Sequence, residues 1–147
     1  MTTRDELSGI EAEKGEHTDL MRAALAGDTA TVRSLLAGRA DVNAKDAEGR
    51  TALMFAVTNM HTETARELLQ RGADVNATAA DGGTALMLAA SSGDTESVRA
   101  LLSKGANQAA KYSQTGETAL MLAKKNSHDE IVKLLSGGRS QKAGSIS

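Results

Sequence analysis

The string Thr-Ala-Leu-Met occurs three times, beginning at Thr51, Thr84 and Thr118, and a weaker copy, Thr-Asp-Leu-Met, begins at Thr18. The intervals are 33, 33 and 34 residues. A period of this size argues against one closed core, because a unit so short cannot bury its own apolar face. Units must lean on one another, and a stack results. Stacks of this kind usually engage other macromolecules along an extended face and rarely carry chemistry.

The core open to such a stack is aliphatic. The 147 residues include one Phe, one Tyr and no Trp, so Leu, Val, Ala and Met must fill the interior. Small side chains suit closely packed helix pairs, whereas a conventional core of this size uses more rings. Pro and Cys are both absent. Lack of Cys removes disulfides, a thiolate nucleophile and thiolate-ligated zinc.

Charge excludes further classes. Residues 1–17 carry two basic and five acidic groups, and residues 18–137 carry 13 basic and 14 acidic groups. The near-neutral body has none of the basic stripe that nucleic-acid binding needs. No apolar run approaches membrane-spanning length. The start, Met1 to Glu6, lacks the apolar centre of a secretory leader. A cytoplasmic location is therefore expected, with a secreted or periplasmic one open if a leader is removed.

Each unit reads as turn, helix, loop, helix, turn. In the second, Asp46 to Gly49 forms a turn and Thr51 caps a helix over Ala52–Val57. Residues 59–62 break that helix, and a second runs from about Glu63 to Gln70 with Ala65, Leu68 and Leu69 on one face. Gly72 stops it. The third unit repeats the scheme: helix Ala85–Ala90, loop Ser91–Asp94, helix Thr95–Ser103 with Val98, Leu101 and Leu102 inward, and Gly105 as the stop. The first unit keeps Val32, Leu35 and Leu36. Helices this short are unstable alone and need the next pair against them.

The pattern D-x-x-G-x-T-A-L-M-x-A-A, a second helix, then L-L-x-x-G-A-D-V-N-A resembles the ankyrin repeat, most closely at Leu68–Ala77. The likeness spans about residues 18–137. It implies an all-α solenoid of about four helix–loop–helix units with β-turn or hairpin fingers, bounded near 18–45, 46–78, 79–112 and 113–137. Where this family usually has T-P-L-H, the chain has Thr-Ala-Leu-Met. Ala tolerates the loss of Pro at the first helical position. Met54, Met87 and Met121 are expected to fill apolarly the space in which His links neighbouring turns. Bacterial members share this variant, which implies a bacterial origin.

End units of a stack need polar outer faces. Arg22 stands in the slot of Phe55 and Leu88, Ser136 in that of Leu36, Leu69 and Leu102, and Lys124 in that of Val57 and Ala90. Units one and four thus read as caps. Residues 138–147, rich in Gly, Ser and basic side chains, read as a disordered tail. Leu7 and Ile10 either place a short helix against unit one or belong to a free acidic leader. The joint between units three and four differs: Gln108 and Ala109 replace Val and Asn, one residue is inserted before Gly116, and Tyr112 stands in the loop. This is either drift in a surface loop or a finger reshaped to present Tyr112.

By resemblance, turn fingers and first helices form a concave binding face. The positions that carry over are Lys45, Asp46, Glu48 and Arg50; Asp81; Tyr112, Gln114 and Glu117; and, beside them, Thr58, Asn59, Ser91, Ser92, Lys125 and Asn126. Most are small and polar. Of the residue types that dominate interface energetics, only Tyr112 and Arg50 are present there, so a modest or transient interface is expected. Asp46, Glu48 and Asp81, as acids on turn tips, are expected mainly to solvate the surface.

No chemistry converges. His61 and His128 occupy matching slots two units apart, about 20 Å at ordinary helix spacings, too far to share a metal, and the resemblance makes them loop braces. Gly82-Gly83 lacks the Lys-Ser/Thr that completes a phosphate loop. The expectation is a non-catalytic protein-binding module, without cofactor or metal, acting as a monomer on a partner protein. An inhibitor or immunity-type role, blocking an enzyme or toxin, is the alternative.

Overall fold

The computed structural model describes residues 17–136. The expectations for Leu7 and Ile10 and for the tail 138–147 fall outside them. Seven helices have both ends within this span: α1 (Asp19–Ala26), α2 (Thr29–Ala37), α3 (Ala52–Thr58), α4 (Thr62–Gln70), α5 (Ala85–Ser92), α6 (Thr95–Ser103) and α7 (Ala119–Lys125). Residues 129–136 are helical as well and are called α8. Among the described residues there is no strand, and the fingers are turns with an isolated antiparallel bridge between Lys111 and Thr118. No described helix is long and apolar enough to cross a membrane.

One device starts every first helix. The hydroxyl of Thr18, Thr51, Thr84 or Thr118 accepts from the backbone N–H of Met21, Met54, Met87 or Met121, three residues on. An orphan donor of the first turn is thereby satisfied, at a stabilisation of about 1 kcal/mol per cap. The second helices α2 and α6 start on Asp28 and Asp94 in the same manner, while α4 starts on His61 with no side-chain cap.

The helices form two rows. First helices pack in sequence, α1 on α3, α3 on α5, α5 on α7; second helices pack α2 on α4 and α4 on α6; and each pair packs on itself. This is a solenoid of helix pairs, in step with the Thr-Ala-Leu-Met landmarks. Its core is one aliphatic sheet of side chains, including Leu20, Met21, Val32, Leu53, Met54, Leu68, Leu86, Met87, Val98, Leu101 and Ile131.

The structure corrects some particulars. Helix α5 runs through Ser91 and Ser92, where a loop was expected. The stop is Gly93, whose N–H bonds back to Ala89, and Ser92 Oγ donates to the Leu88 carbonyl within the helix. Met54 and Met87 are buried as expected, but Met121 is 52 % exposed. It faces outward from unit four, where no further described pair covers it. Leu35, Leu36 and Leu102 are only half-buried.

Candidate protein-binding face

The finger of unit two is built around Asp46. Its N–H bonds the Arg50 carbonyl and its carbonyl takes the Gly49 N–H, closing a tight turn. The carboxylate is turned inward. Oδ1 accepts from the N–H groups of Glu48 and Arg50, at 3.0 and 2.8 Å, and Oδ2 from Arg50 Nε at 2.9 Å. His17 Nε2 approaches Oδ2 at 3.3 Å. The guanidinium of Arg50 and the ring of His17 both lie 5.0 Å from the centre of the Phe55 ring. Burial alone would raise the Asp46 carboxyl. The backbone and side-chain hydrogen bonds of Arg50, its charge, and the Glu48 N–H outweigh that, and the net direction is down.

Asp46 is therefore not an exposed acid on a rim. Its side chain is fully enclosed, which leaves it a brace and removes it from the surface a partner could touch directly. Glu48 remains exposed and reaches Arg50 Nη2 at 3.1 Å.

The fingers of units two to four are joined edge to edge. Ala80 donates its N–H to the Glu48 carbonyl at 2.8 Å, and Ser113 donates to the Asp81 carbonyl at 2.9 Å. The joint at Gly82 is too close for a side chain: a β-carbon there would meet the Lys111 carbonyl at 2.7 Å. Fingers two and three close by i→i+4 bonds, Asp46 to Arg50 and Ala79 to Gly83, whereas finger four closes from Tyr112 to Glu117, five residues apart. The inserted residue is accommodated here, as a wider loop at the tip. The Tyr112 ring lies against Gly83 and is half-buried.

The remaining expected residues fall beside this strip, and several bind their neighbours. Lys45 Nζ donates to the Thr78 carbonyl and Thr58 Oγ1 to the Met54 carbonyl, and Ser92 Oγ shares its proton between the Leu88 carbonyl and the Val57 carbonyl of the preceding unit. Asn59 Nδ2 reaches the Leu25 carbonyl across one joint, and Asn126 Nδ2 reaches the carbonyl and hydroxyl of Ser91 across another. Lys125 pairs with Glu117 at 3.0 Å. Gln114 is exposed at the tip of finger four. Two clusters result, Asp46–Glu48–Arg50 and Tyr112–Glu117–Lys125, with the small residues of finger three between them. His61 and His128 act as the expected braces, each ring nitrogen bonding the carbonyl of the preceding unit, Leu25 or Ser91, at 3.0 Å.

Other links between units escaped the sequence reading. Asn43 Oδ1 accepts from the Asp74 N–H and its amide donates to the Gly72 carbonyl; Asn76 does the same to Asn107 and Gly105. On the opposite row, Arg33 pairs with Glu67 and Glu63, Arg66 with Glu96 and Arg99 with Glu130, so that every joint carries an ion pair. The signal was present: Arg33, Arg66 and Arg99 keep the 33-residue period, as do Asn43 and Asn76. These residues hold the stack together alongside the finger-to-finger bonds.

A stack of helix pairs with joined turn fingers and an aliphatic core defines a repeat solenoid. The family model of ankyrin repeats, in three copies, matches residues 6–79 and again 73–143. The chain belongs to the ankyrin-repeat family, whose repeats generally mediate protein–protein interaction. Comparison with curated protein sequences gave no match.

Proposed function

We propose that the chain is a non-catalytic module that binds a partner protein along the strip of fingers and adjoining first-helix ends. The observation that carries this reading is the pair of finger-to-finger hydrogen bonds, Ala80 to Glu48 and Ser113 to Asp81. They hold three turn tips in one register before any partner arrives, so little ordering entropy is lost on association. The exposed side chains offered are few and mostly polar, Glu48, Asp81, Gln114 and Asn59 among them. Affinity is then modest, and specificity comes from shape and backbone groups. The chain acts as a monomer in this reading.

Site-resolved crosslinking tests it. A photoreactive residue is placed at Glu48 or Gln114 on the strip, or at Lys104 or Lys133 on the row of second helices. A protein captured by the full chain is expected to crosslink from the first pair and not from the second. The reverse pattern overturns the assignment. Arg50 is a poor probe, because its replacement frees Asp46 and disturbs the finger itself.

A further inference from the structure

The widened fourth finger encloses a notch between its own tip and the finger before it. Asp81, Tyr112, Gln114, Thr115 and Glu117 line it. One wall is the half-buried ring of Tyr112, whose Cε1 edge is set against Gly83; a β-carbon on Gly83 would come within 2.9 Å of that atom. The floor carries two carboxylates in different states. Glu117 is spoken for: one oxygen pairs with Lys125 at 3.0 Å and the other takes the Thr115 hydroxyl at 3.2 Å. Asp81 is exposed; its Oδ1 accepts from the Gly83 N–H at 2.9 Å, and it forms no ion pair among the described residues. The cavity therefore joins an aromatic face to one uncompensated charge.

We infer that this notch receives an arginine side chain of the partner protein, the guanidinium pairing with the Asp81 carboxylate while its plane stacks on Tyr112. The inference rests on the protein-binding reading above and names the chemistry that finger four recognises. A guanidinium is the cation that fits both walls, since its planar fork matches a carboxylate and its face stacks on a ring. The Tyr112 hydroxyl also senses the negative surroundings: burial first, then the charges of Asp81 and Glu117, push its ionisation upward. The equivalent joint between fingers two and three holds no such site: Glu48, which stands where Asp81 does, is paired with Arg50, and Ala79 stands in the place of Tyr112. The notch belongs to the one joint that carries the inserted residue.

The chain contains a single Tyr and no Trp, so intrinsic fluorescence reports this site alone. The full chain is titrated with acetyl-Gly-Arg-Gly-amide and with the neutral isostere acetyl-Gly-citrullinyl-Gly-amide, followed by Tyr112 fluorescence and by amide NMR shifts. The arginine peptide is expected to move Gly83, Tyr112, Ser113 and Glu117. Asp81→Asn, which keeps Oδ1 for the Gly83 N–H, weakens the response about tenfold, the scale of one charge-assisted hydrogen bond. Read by the amide shifts, Tyr112→Phe retains the response and Tyr112→Ala loses it. No shift with the arginine peptide, an equal response to the citrulline peptide, shifts centred on residues 46–50, or an unchanged Asp81→Asn variant each overturns the proposal. If the peptide response fails while crosslinks still form from Glu48, the notch falls and the binding face stands. If the response holds while crosslinks form only from Lys104 or Lys133, the face falls and the notch stands.

Discussion

The imidazole of His61 fills the space that a side chain on Gly27 would need: a β-carbon built on Gly27 falls 2.5 Å from His61 Nδ1. Gly27 ends α1 in a left-handed conformation, φ 73°, and His61 Nε2 bonds the carbonyl of the residue two before it, Leu25. Gly93 and His128 repeat the arrangement one joint removed, with a closest approach of 2.7 Å. Between them the joint changes character. Met60 takes the glycine slot at φ 60°, and Asp94 takes the histidine slot, where it accepts from Thr62 Oγ1. Units one and three thus offer glycine, and units two and four lay a ring upon it.

Gly27→Ala is accordingly expected to cost more than a left-handed alanine alone. Gly72 provides the comparison: it is also left-handed, φ 96°, but nothing lies within 4 Å of an added β-carbon. Gly72→Ala should cost about 1–2 kcal/mol, the backbone term. Gly27→Ala should exceed it, and adding His61→Ala should recover part of the difference. Urea denaturation of the two single variants and the double variant measures this; additive effects would show that ring and glycine are uncoupled.

Leu68→Ala is expected to destabilise by about 2–5 kcal/mol, as cavity-forming changes do. Leu68 is completely buried on α4. Met121→Ala, at the exposed outer side of unit four, should stay within about 0.5 kcal/mol. A loss under about 1 kcal/mol for Leu68→Ala would contradict its inward placement.

Asn76→Ala removes two bonds across the joint between units two and three, to the Asn107 N–H and the Gly105 carbonyl. One of them leaves a backbone donor without its partner. A loss of about 1–2 kcal/mol is expected in thermal or urea melts. Asn107→Ala should be milder, since the ladder uses its backbone and not its side chain toward Asn76.

Acid should weaken the fold through Asp46 and Glu67. Burial pushes the Glu67 carboxyl up, but hydrogen bonds and charge from Arg33 and Arg71 bring it below the usual range, as Arg50 does for Asp46. A carboxyl depressed in the folded state stabilises fully above its unfolded value, and that stability disappears as pH falls through the folded value. The urea midpoint should therefore decline from about pH 5 downward. Asp46→Asn and Glu67→Gln should each flatten that decline; an unchanged acid limb in both would remove these two groups as its cause.

The repeat period was sufficient by itself to determine the architecture, because a unit whose helices are this short has no stable existence apart from its neighbours. Thr51 and Thr84 as caps and Val98 and Leu101 as core were likewise legible, since each depends on local spacing, and His61 as a brace followed from the family resemblance. Tertiary structure decided the rest. Nothing in sequence tells whether a turn-tip carboxylate points out or in; Asp46 points in because Arg50, four residues on, folds its guanidinium back over Phe55. Met121 repeats Met54 and Met87 by position yet stands exposed, because burial in a stack belongs to the neighbouring layer and not to the residue. The notch at Tyr112 needed the same information, since its walls come from two fingers brought together by backbone hydrogen bonds, which side-chain patterning does not reveal.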